Sequence, residues 1–312
     1  MKVLITGALG MLGRALADVF QGDELSGLVR EESKSDRIKL YACDITEGAR
    51  VRQVVDSLKP DVVIHGAAYT DVDGCERDRD KAFRVNFEGT KNLVDAVGGM
   101  KCFFIFISTD YVFDGSKKGA YTEEDSTRPL SVYGQSKLKA EEYIRSCVTG
   151  DQKKKYAAHF LMVRTSWLYG KGGRNFVDTM IRLGDEKASL DIVSDQRGRP
   201  TYTVDLAKAL KRVVLKYPWK NKLGSDGTID ILHIANSGET TWADFAEEIF
   251  RLMGKKIQIS RISSQELNRP APRPANSVLN TSRYEKLTGD PLRSWKEALR
   301  EYLKSSQGGK VL

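Results

Sequence analysis

Histidine and cysteine are scarce: three histidines and four cysteines in 312 residues. The cysteines Cys43, Cys75, Cys102 and Cys147 share no metal-ligand spacing, so a histidine- or thiolate-built zinc or iron site is not expected, and reduced structural thiols are. No stretch approaches the ~18 consecutive apolar residues of a membrane span. From Met1 the chain runs into a strand with no charged leader, apolar signal core or cleavage site, so the cytoplasm is the expected compartment. Proline is sparse, with eight residues, and no low-complexity linker or solenoid repeat divides the chain. What remains is an ordinary globular composition, 40% hydrophobic and 29% charged. Fifty lysines and arginines against 42 aspartates and glutamates leave a net charge of +8. That excess suits any polyanionic ligand and is spread along the chain, so nucleic acid is not the expected partner. The densest run, Lys153 to Lys155, reads as a solvated loop.

Apolar runs alternate with helical patterns through the first half. Residues 2–6 form a β-branched strand that ends at Gly7, and residues 11–20 carry helical apolar spacing. A strand at 25–29, a helix at 53–58, a strand at 61–65, an amphipathic helix at 81–97 and a strand at 102–107 follow. Near-continuous apolar strands between helices predict an α/β fold with a doubly wound parallel sheet covered on both faces. Past about residue 165 the alternation breaks down, which predicts a smaller C-terminal lobe. The expected division is 1–165, with parts of 188–235, for a Rossmann domain, and 166–187 with 236–312 for a substrate-binding lobe. Helices are expected over 241–253 and 295–304, and fraying from 305 to 312.

Gly7-Ala-Leu-Gly10-Met-Leu-Gly13 joins the first strand to the first helix. There glycines permit a tight turn, close approach of backbone to a pyrophosphate, and helix-on-strand packing; the helix N-terminus favours the anion. Arg30 ends the second strand and can meet a ribose 2′-phosphate, which favours NADPH; Glu31 and Glu32 keep NADH as an alternative. Gly66-Ala67-Ala68 offers small residues after the fourth apolar run, where backbone can approach a cofactor or simply turn.

Of twelve tyrosines, Tyr133 alone has a lysine four residues on, Lys137, which on a helix places both on one face. A phenol titrates near 10 in isolation, and a neighbouring cation favours its ionised form. The strand at 102–107 ends in Ser108-Thr109-Asp110-Tyr111, where Thr109 can hydrogen-bond a carbonyl while Tyr133 donates a proton. Thr109, Tyr133 and Lys137 are therefore the expected catalytic set.

The GxxGxxG spacing resembles the extended short-chain dehydrogenase/reductase superfamily. The whole pattern resembles its dTDP-4-dehydrorhamnose reductase family: GALGMLG at 7–13, STDYVFDG at 108–115, YGQSK at 133–137, RTSWLYG at 164–170, NFV at 175–177, DQRGRPTYTVDLA at 195–207 and RPANSVL at 273–279. The resemblance implies NAD(P)H-dependent reduction of the 4-keto group of dTDP-4-dehydro-L-rhamnose to dTDP-L-rhamnose. It places Gly7, Gly10, Met11, Leu12, Gly13, Asp44, Ile45, Ala67, Ala68, Tyr69, Tyr133 and Lys137 on the cofactor, Asp44 at the adenine amino group, and sets Asn86 where the superfamily carries an asparagine that braces the site; Arg30 stands where some members carry an acid. Thr109, Asp110, Trp167, Asn175, Arg199 and Arg273 fall to the sugar nucleotide, with Arg164, Arg199 and Arg273 as candidate phosphate ligands. Sugar-nucleotide dehydratases of the superfamily carry Thr-Asp-Glu where this chain has Thr109-Asp110-Tyr111, which favours simple ketone reduction. Some members bind magnesium at a dimer interface, so the resemblance admits a homodimer and Mg2+, although no carboxylate cluster calls for the metal. Two other readings stay open: a reductase or epimerase for another nucleotide sugar, and a regulatory protein like the methionine adenosyltransferase beta subunit, which resembles the same family.

Overall fold

The structure is a computed structural model describing residues 1–149, 156–222 and 230–306; the lysine run at 153–155 and the tail beyond 306 lie outside these. In chain order the strands are β1 Lys2–Thr6, β2 Glu24–Val29, β3 Lys39–Ala42, β4 Val62–His65, β5 Phe103–Thr109, β6 His159–Thr165, β7 Leu168–Tyr169, β8 Ser189–Val193, β9 Arg197–Gly198, β10 Thr201–Tyr202, β11 Asp230–His233, β12 Thr240–Thr241 and β13 Gln258–Ile262. The helices are α1 Met11–Val19, α2 Gly48–Leu58, α3 Val72–Arg77, α4 Arg79–Phe83, α5 Gly89–Val97, α6 Val132–Val148, α7 Phe176–Glu186, α8 Thr203–Lys216, α9 Trp219–Lys222, α10 Trp242–Leu252, α11 Ser264–Leu267, α12 Ser282–Thr288 and α13 Trp295–Ser306.

Seven strands pair in the order β11-β6-β5-β4-β1-β2-β3, every pairing parallel. Reading from β3, the succession 3-2-1-4-5-6 is that of a Rossmann sheet, extended by β11, with its direction reversing between β1 and β4. Parallel strands buried on both faces need apolar side chains throughout, and β5, Phe-Phe-Ile-Phe-Ile-Ser-Thr, is buried along its whole length. One face carries α1 and α8, with Leu16, Phe20, Leu206 and Leu210 in its core. The other carries α2, α5 and α6, with Val51, Leu93 and Ile144.

The second lobe has its own core: Tyr169 and Met180 from the segment after β6, Phe245 and Phe250 of α10, and Trp295 and Leu299 of α13. The chain does not divide as simply as expected. Within 188–235, α8 and β11 build on the large sheet, whereas β8 pairs with β13 in the second lobe. Within 236–312, Tyr284 and Leu292 return to the core under α8. β8 finds its parallel partner in β13 rather than at an edge of the seven-stranded sheet, and pairing between strands so far apart in the chain is not visible in local periodicity. The helix expected at 53–58 begins at Gly48, and the final helix runs to Ser306. The helix expected at 81–97 starts at Arg79 and carries a π-helical turn at Arg84–Glu88, which a pattern of apolar spacing does not register.

Candidate active site

The sheet order reverses direction between β1 and β4, where ligands of such sheets bind beyond the carboxyl ends of the strands, and the glycine loop follows β1 at that point. Gly7 sits at φ 68°, a left-handed conformation open to glycine, and a Cβ there would lie 3.0 Å from the Ala67 Cα of the loop after β4. A Cβ on Gly13 would collide with the Gly7 carbonyl, so the close contact of α1 with its own loop requires glycine. Gly10 caps α1 with no side-chain hydrogen bond, and the first turn holds no acid. The N–H groups at the start of α1 are thus left for an anion, at the positive end of the helix dipole. This cradle fits the pyrophosphate of a dinucleotide.

Around it, the Ala67 N–H donates to Thr6 Oγ1 at 3.1 Å, and the Thr6 hydroxyl lies 2.7 Å from His65 Nδ1, which fixes the β4 loop against β1. A Cβ on Gly173 would lie 2.7 Å from the Met11 side chain and one on Gly172 would strike Arg14, so the loop at 172–173 lies close against the start of α1. Arg30 is exposed, 74% of its side chain accessible, with Glu31 at 3.3 Å. Asp44 is half-buried and accepts from the Thr46 N–H and hydroxyl. Ile45 is a core residue whose carbonyl accepts from Asn92.

The chemistry-bearing side chains gather at the end of β5. Thr109 is the last residue of that strand; its hydroxyl donates to Asp110 Oδ1 at 3.1 Å and accepts from the Tyr111 N–H at 3.2 Å. Helix α6 starts under a Ser131 cap whose hydroxyl accepts from the Gly134 N–H, and this places Tyr133 in its first turn, edge-on to Tyr111 with ring centroids 6.0 Å apart. Burial raises the phenol of Tyr133 well above its usual range, with a Thr109 hydrogen bond acting the other way. Tyr133 is therefore held protonated, the state a proton donor needs. Lys137, one turn on, is 3% exposed. Its ammonium donates to the Ile107 carbonyl at 2.8 Å and lies 4.0 Å from the centre of the Phe106 ring. Burial lowers Lys137 to about 7, with Glu141 opposing. Lys137 thus rests on β5 one helical turn from Tyr133, and burial is the largest influence on the phenol.

The π turn accounts for Asn86. Its carbonyl oxygen accepts from the Tyr69 N–H at 2.7 Å, and its amide donates to the Tyr69 carbonyl at 3.1 Å and to Ser136 Oγ at 2.9 Å. The Ser136 hydroxyl donates in turn to the Tyr133 carbonyl at 2.8 Å. Asn86 thereby ties the β4 loop to the turn that carries Tyr133.

Asp110 is 2% exposed, its Oδ2 has no hydrogen-bond partner, and burial raises its carboxyl to about 7. The folded state therefore binds a proton that the unfolded chain, with a carboxyl near 4, releases, so stability declines as pH rises from about 4 to 7 and then levels off. Asp110→Asn removes this dependence. Urea midpoints of the two proteins, compared between pH 4 and 8, should diverge with that sign; parallel profiles would mean that Asp110 is not protonated in the fold.

The remaining candidates separate. Trp167 adopts φ 47°, strained for a bulky residue, and stacks on Trp242 at 3.5 Å and 5°. Arg199 donates to Thr281 Oγ1, and its buried Nε has no partner, which leaves a donor for an anion. Arg273 and Arg269 both pair with Asp73 at 3.1 Å, joining α3 to the 269–274 loop. Asn175 caps α7 and spends its amide on the Gly170 and Gly173 carbonyls, so it shapes the loop over α1. Arg164 is a correction: 1% exposed and bound bidentately to Glu141, it lies behind the site and is not presented to a substrate phosphate. Sequence reasoning passed over three side chains. Glu141 follows Lys137 by one helical turn, and that spacing was a usable signal; Trp242 and Asp73 meet partners far away in the chain, 75 residues off for Trp167 and about 200 for Arg273, and left none. Among the described residues no group of three His, Cys, Asp or Glu side chains could hold a metal, and no helix is long and apolar enough to cross a membrane. All four cysteines are free and buried.

A Rossmann sheet with a glycine cradle, and a Thr–Tyr–Lys set at the end of its fifth strand, define a nucleotide-cofactor oxidoreductase of the short-chain dehydrogenase/reductase type. The sequence profile of the RmlD substrate binding domain matches residues 1–307, and the chain belongs to that family. It is 38% identical over 303 residues to a dTDP-4-dehydrorhamnose reductase of Streptomyces griseus, covering 96% of this chain and 91% of that protein. The crystal structure of a dTDP-4-dehydrorhamnose reductase from Clostridium acetobutylicum superposes with a TM-score of 0.83 at 39% identity, over 98% of this chain and all (100%) of that one. The Bacillus anthracis enzyme of the same name, solved in complex with NADP, superposes with a TM-score of 0.80 at 33% identity, over 98% and 100% of the two chains.

Proposed function

We propose that this protein uses NADPH to reduce the 4-keto group of dTDP-4-dehydro-L-rhamnose, giving dTDP-L-rhamnose. The observation that carries the reading is the convergence of Thr109 and Tyr133 at the end of β5, beside the glycine cradle. When bound, the dinucleotide supplies the hydride. The start of α1 holds its phosphates, with Gly7, Gly10, Met11, Leu12 and Gly13 lining that turn. Asp44, Ile45, Ala67, Ala68 and Tyr69 lie along the rest of the cofactor. Thr109 hydrogen-bonds the carbonyl oxygen, and Tyr133 delivers its phenolic proton to the same oxygen. Lys137 positions the cofactor and offers positive charge as the phenolate forms. Asp110 and Trp167 contact the sugar, while Arg199, through its unpartnered Nε, and Arg273 meet the diphosphate. The seven-stranded sheet serves the cofactor and the second lobe the sugar nucleotide. We place the enzyme in the cytoplasm as a homodimer acting on a small molecule, with no membrane or nucleic-acid partner.

The test is optical: NADPH consumption with dTDP-4-dehydro-6-deoxy-L-mannose. Oxidation that depends on this sugar supports the proposal. Cofactor that binds but is not oxidised moves the assignment to another nucleotide sugar or to a regulatory role. For the cofactor itself, Arg30→Asp should shift preference from NADPH toward NADH by about tenfold or more, since a charge-assisted contact to a phosphate contributes about 1.5–3 kcal/mol. An unchanged ratio of kcat/KM for the two cofactors would show that Arg30 does not reach the ribose.

A further inference from the structure

Behind Lys137 lies a buried ion pair that the proposed chemistry does not use. Glu141 is wholly buried, and its carboxylate accepts from Ser108 Oγ at 2.6 Å, from Arg164 Nε at 3.0 Å and from Arg164 Nη2 at 2.6 Å. These partners come from three elements: Ser108 precedes Thr109 on β5, Arg164 stands near the end of β6, and Glu141 shares the face of α6 with Tyr133 and Lys137 at successive intervals of four. The guanidinium also packs on the Phe113 ring at 5.1 Å, and its Nη1 has no partner. A buried pair of this kind contributes little net stability relative to well-packed apolar residues, so a role beyond packing is worth seeking.

We propose that Glu141, fixed in place by Arg164 and Ser108, is a positioning residue that keeps Lys137 charged in a site that would otherwise neutralise it. The inference rests on the reductase reading for its consequence in turnover, but not for the effect on Lys137 itself. Lys137 is surrounded by apolar strand and by groups that carry no compensating charge. From β4 comes His65, kept neutral by burial between Thr6 and Thr90. The other titratable groups at this end of β5, the Tyr133 phenol and the Asp110 carboxyl, are both favoured in their neutral forms by burial. The Lys137 ammonium bonds the Ile107 carbonyl and the Glu141 carboxylate bonds the hydroxyl of the next residue, Ser108, so β5 holds the two groups at neighbouring positions, one turn of α6 apart, and Glu141 opposes the burial that discharges Lys137. Without that carboxylate, Lys137 is neutral over more of the working pH range, and both cofactor positioning and support for a Tyr133 phenolate fade at lower pH.

The experiment compares wild type with Glu141→Gln, which keeps the shape and can still hydrogen-bond Ser108. Lys137 is followed by NMR in protein labelled at the lysine side-chain carbons, its signal assigned by loss in Lys137→Arg. The Glu141→Gln protein should show a Lys137 titration midpoint about one pH unit lower, a tenfold weaker hold on the proton, and Glu141→Asp should recover most of the shift. In the NADPH assay the alkaline limb of kcat should move the same way. A variant that is less stable but titrates at the wild-type midpoint overturns the proposal. Should Glu141→Gln not fold, the double variant Glu141→Gln/Arg164→Met removes both buried charges together, and an unmoved midpoint there overturns it equally. The titration needs neither sugar nor cofactor: a wild type inactive on the proposed sugar counts against the function alone, whereas an unmoved midpoint counts against Glu141 alone.

Discussion

Tyr133→Phe is expected to lower turnover by about a hundredfold or more, the scale of a general acid's contribution, while NADPH binding stays within a few-fold of wild type. The substitution removes one oxygen and leaves the ring, which packs edge-on to Tyr111 and needs no hydroxyl for that contact. The Ser136 bond to the Tyr133 carbonyl, and through it the Asn86 brace, is made by backbone and survives. The loss should therefore fall on kcat. Cofactor fluorescence titration and steady-state oxidation of NADPH measure the two quantities separately, and turnover near that of wild type would take the proton-donor role from Tyr133.

Arg164→Met should be the most destabilising of the substitutions considered, by about 3–5 kcal/mol, because it strands the Glu141 carboxylate in a fully buried position with Ser108 as its remaining donor. The cost comes from the charge left behind rather than from the contacts removed. The double variant Arg164→Met/Glu141→Met should accordingly recover most of the loss, since two apolar side chains replace two charges that need each other. Urea unfolding of the two variants checks this. If the single variant loses less than about 1 kcal/mol, the pair is not desolvated as the fold places it.

The sequence and the fold agree best where the pattern is local. The run Lys2–Thr6 followed by Gly7, Gly10 and Gly13 is strand, turn and helix because each residue's conformational preference is decided within a few neighbours, and the structure has that succession. The four-residue spacing of Tyr133 and Lys137 is equally local, set by the pitch of α6. The π turn at Arg84–Glu88 was not legible, because one extra residue per turn barely alters an apolar pattern, yet it lies where Asn86 spans the Tyr69 backbone and Ser136. Arg164 illustrates the opposite failure. A charged residue after an apolar strand reads as exposed and available for phosphate, and nothing near it in the chain announces that Glu141, 23 positions earlier, will meet it inside the core.

By itself, the amino-acid sequence determined the parallel α/β class, the phosphate-binding turn and the identity of the hydroxyl, phenol and amine at the end of the fifth strand, since periodicity and motif spacing are properties of neighbours along the chain. The tertiary structure alone decided which arginines are paired with Glu141 and Asp73 and that the Arg199 Nε is left without a partner. It also decided the stacking of Trp167 on Trp242 and the protonation of Asp110 and Lys137. Burial and charge proximity depend on what the folded chain brings together from distant positions, and the energies they carry have no counterpart in the spacing of residues along it.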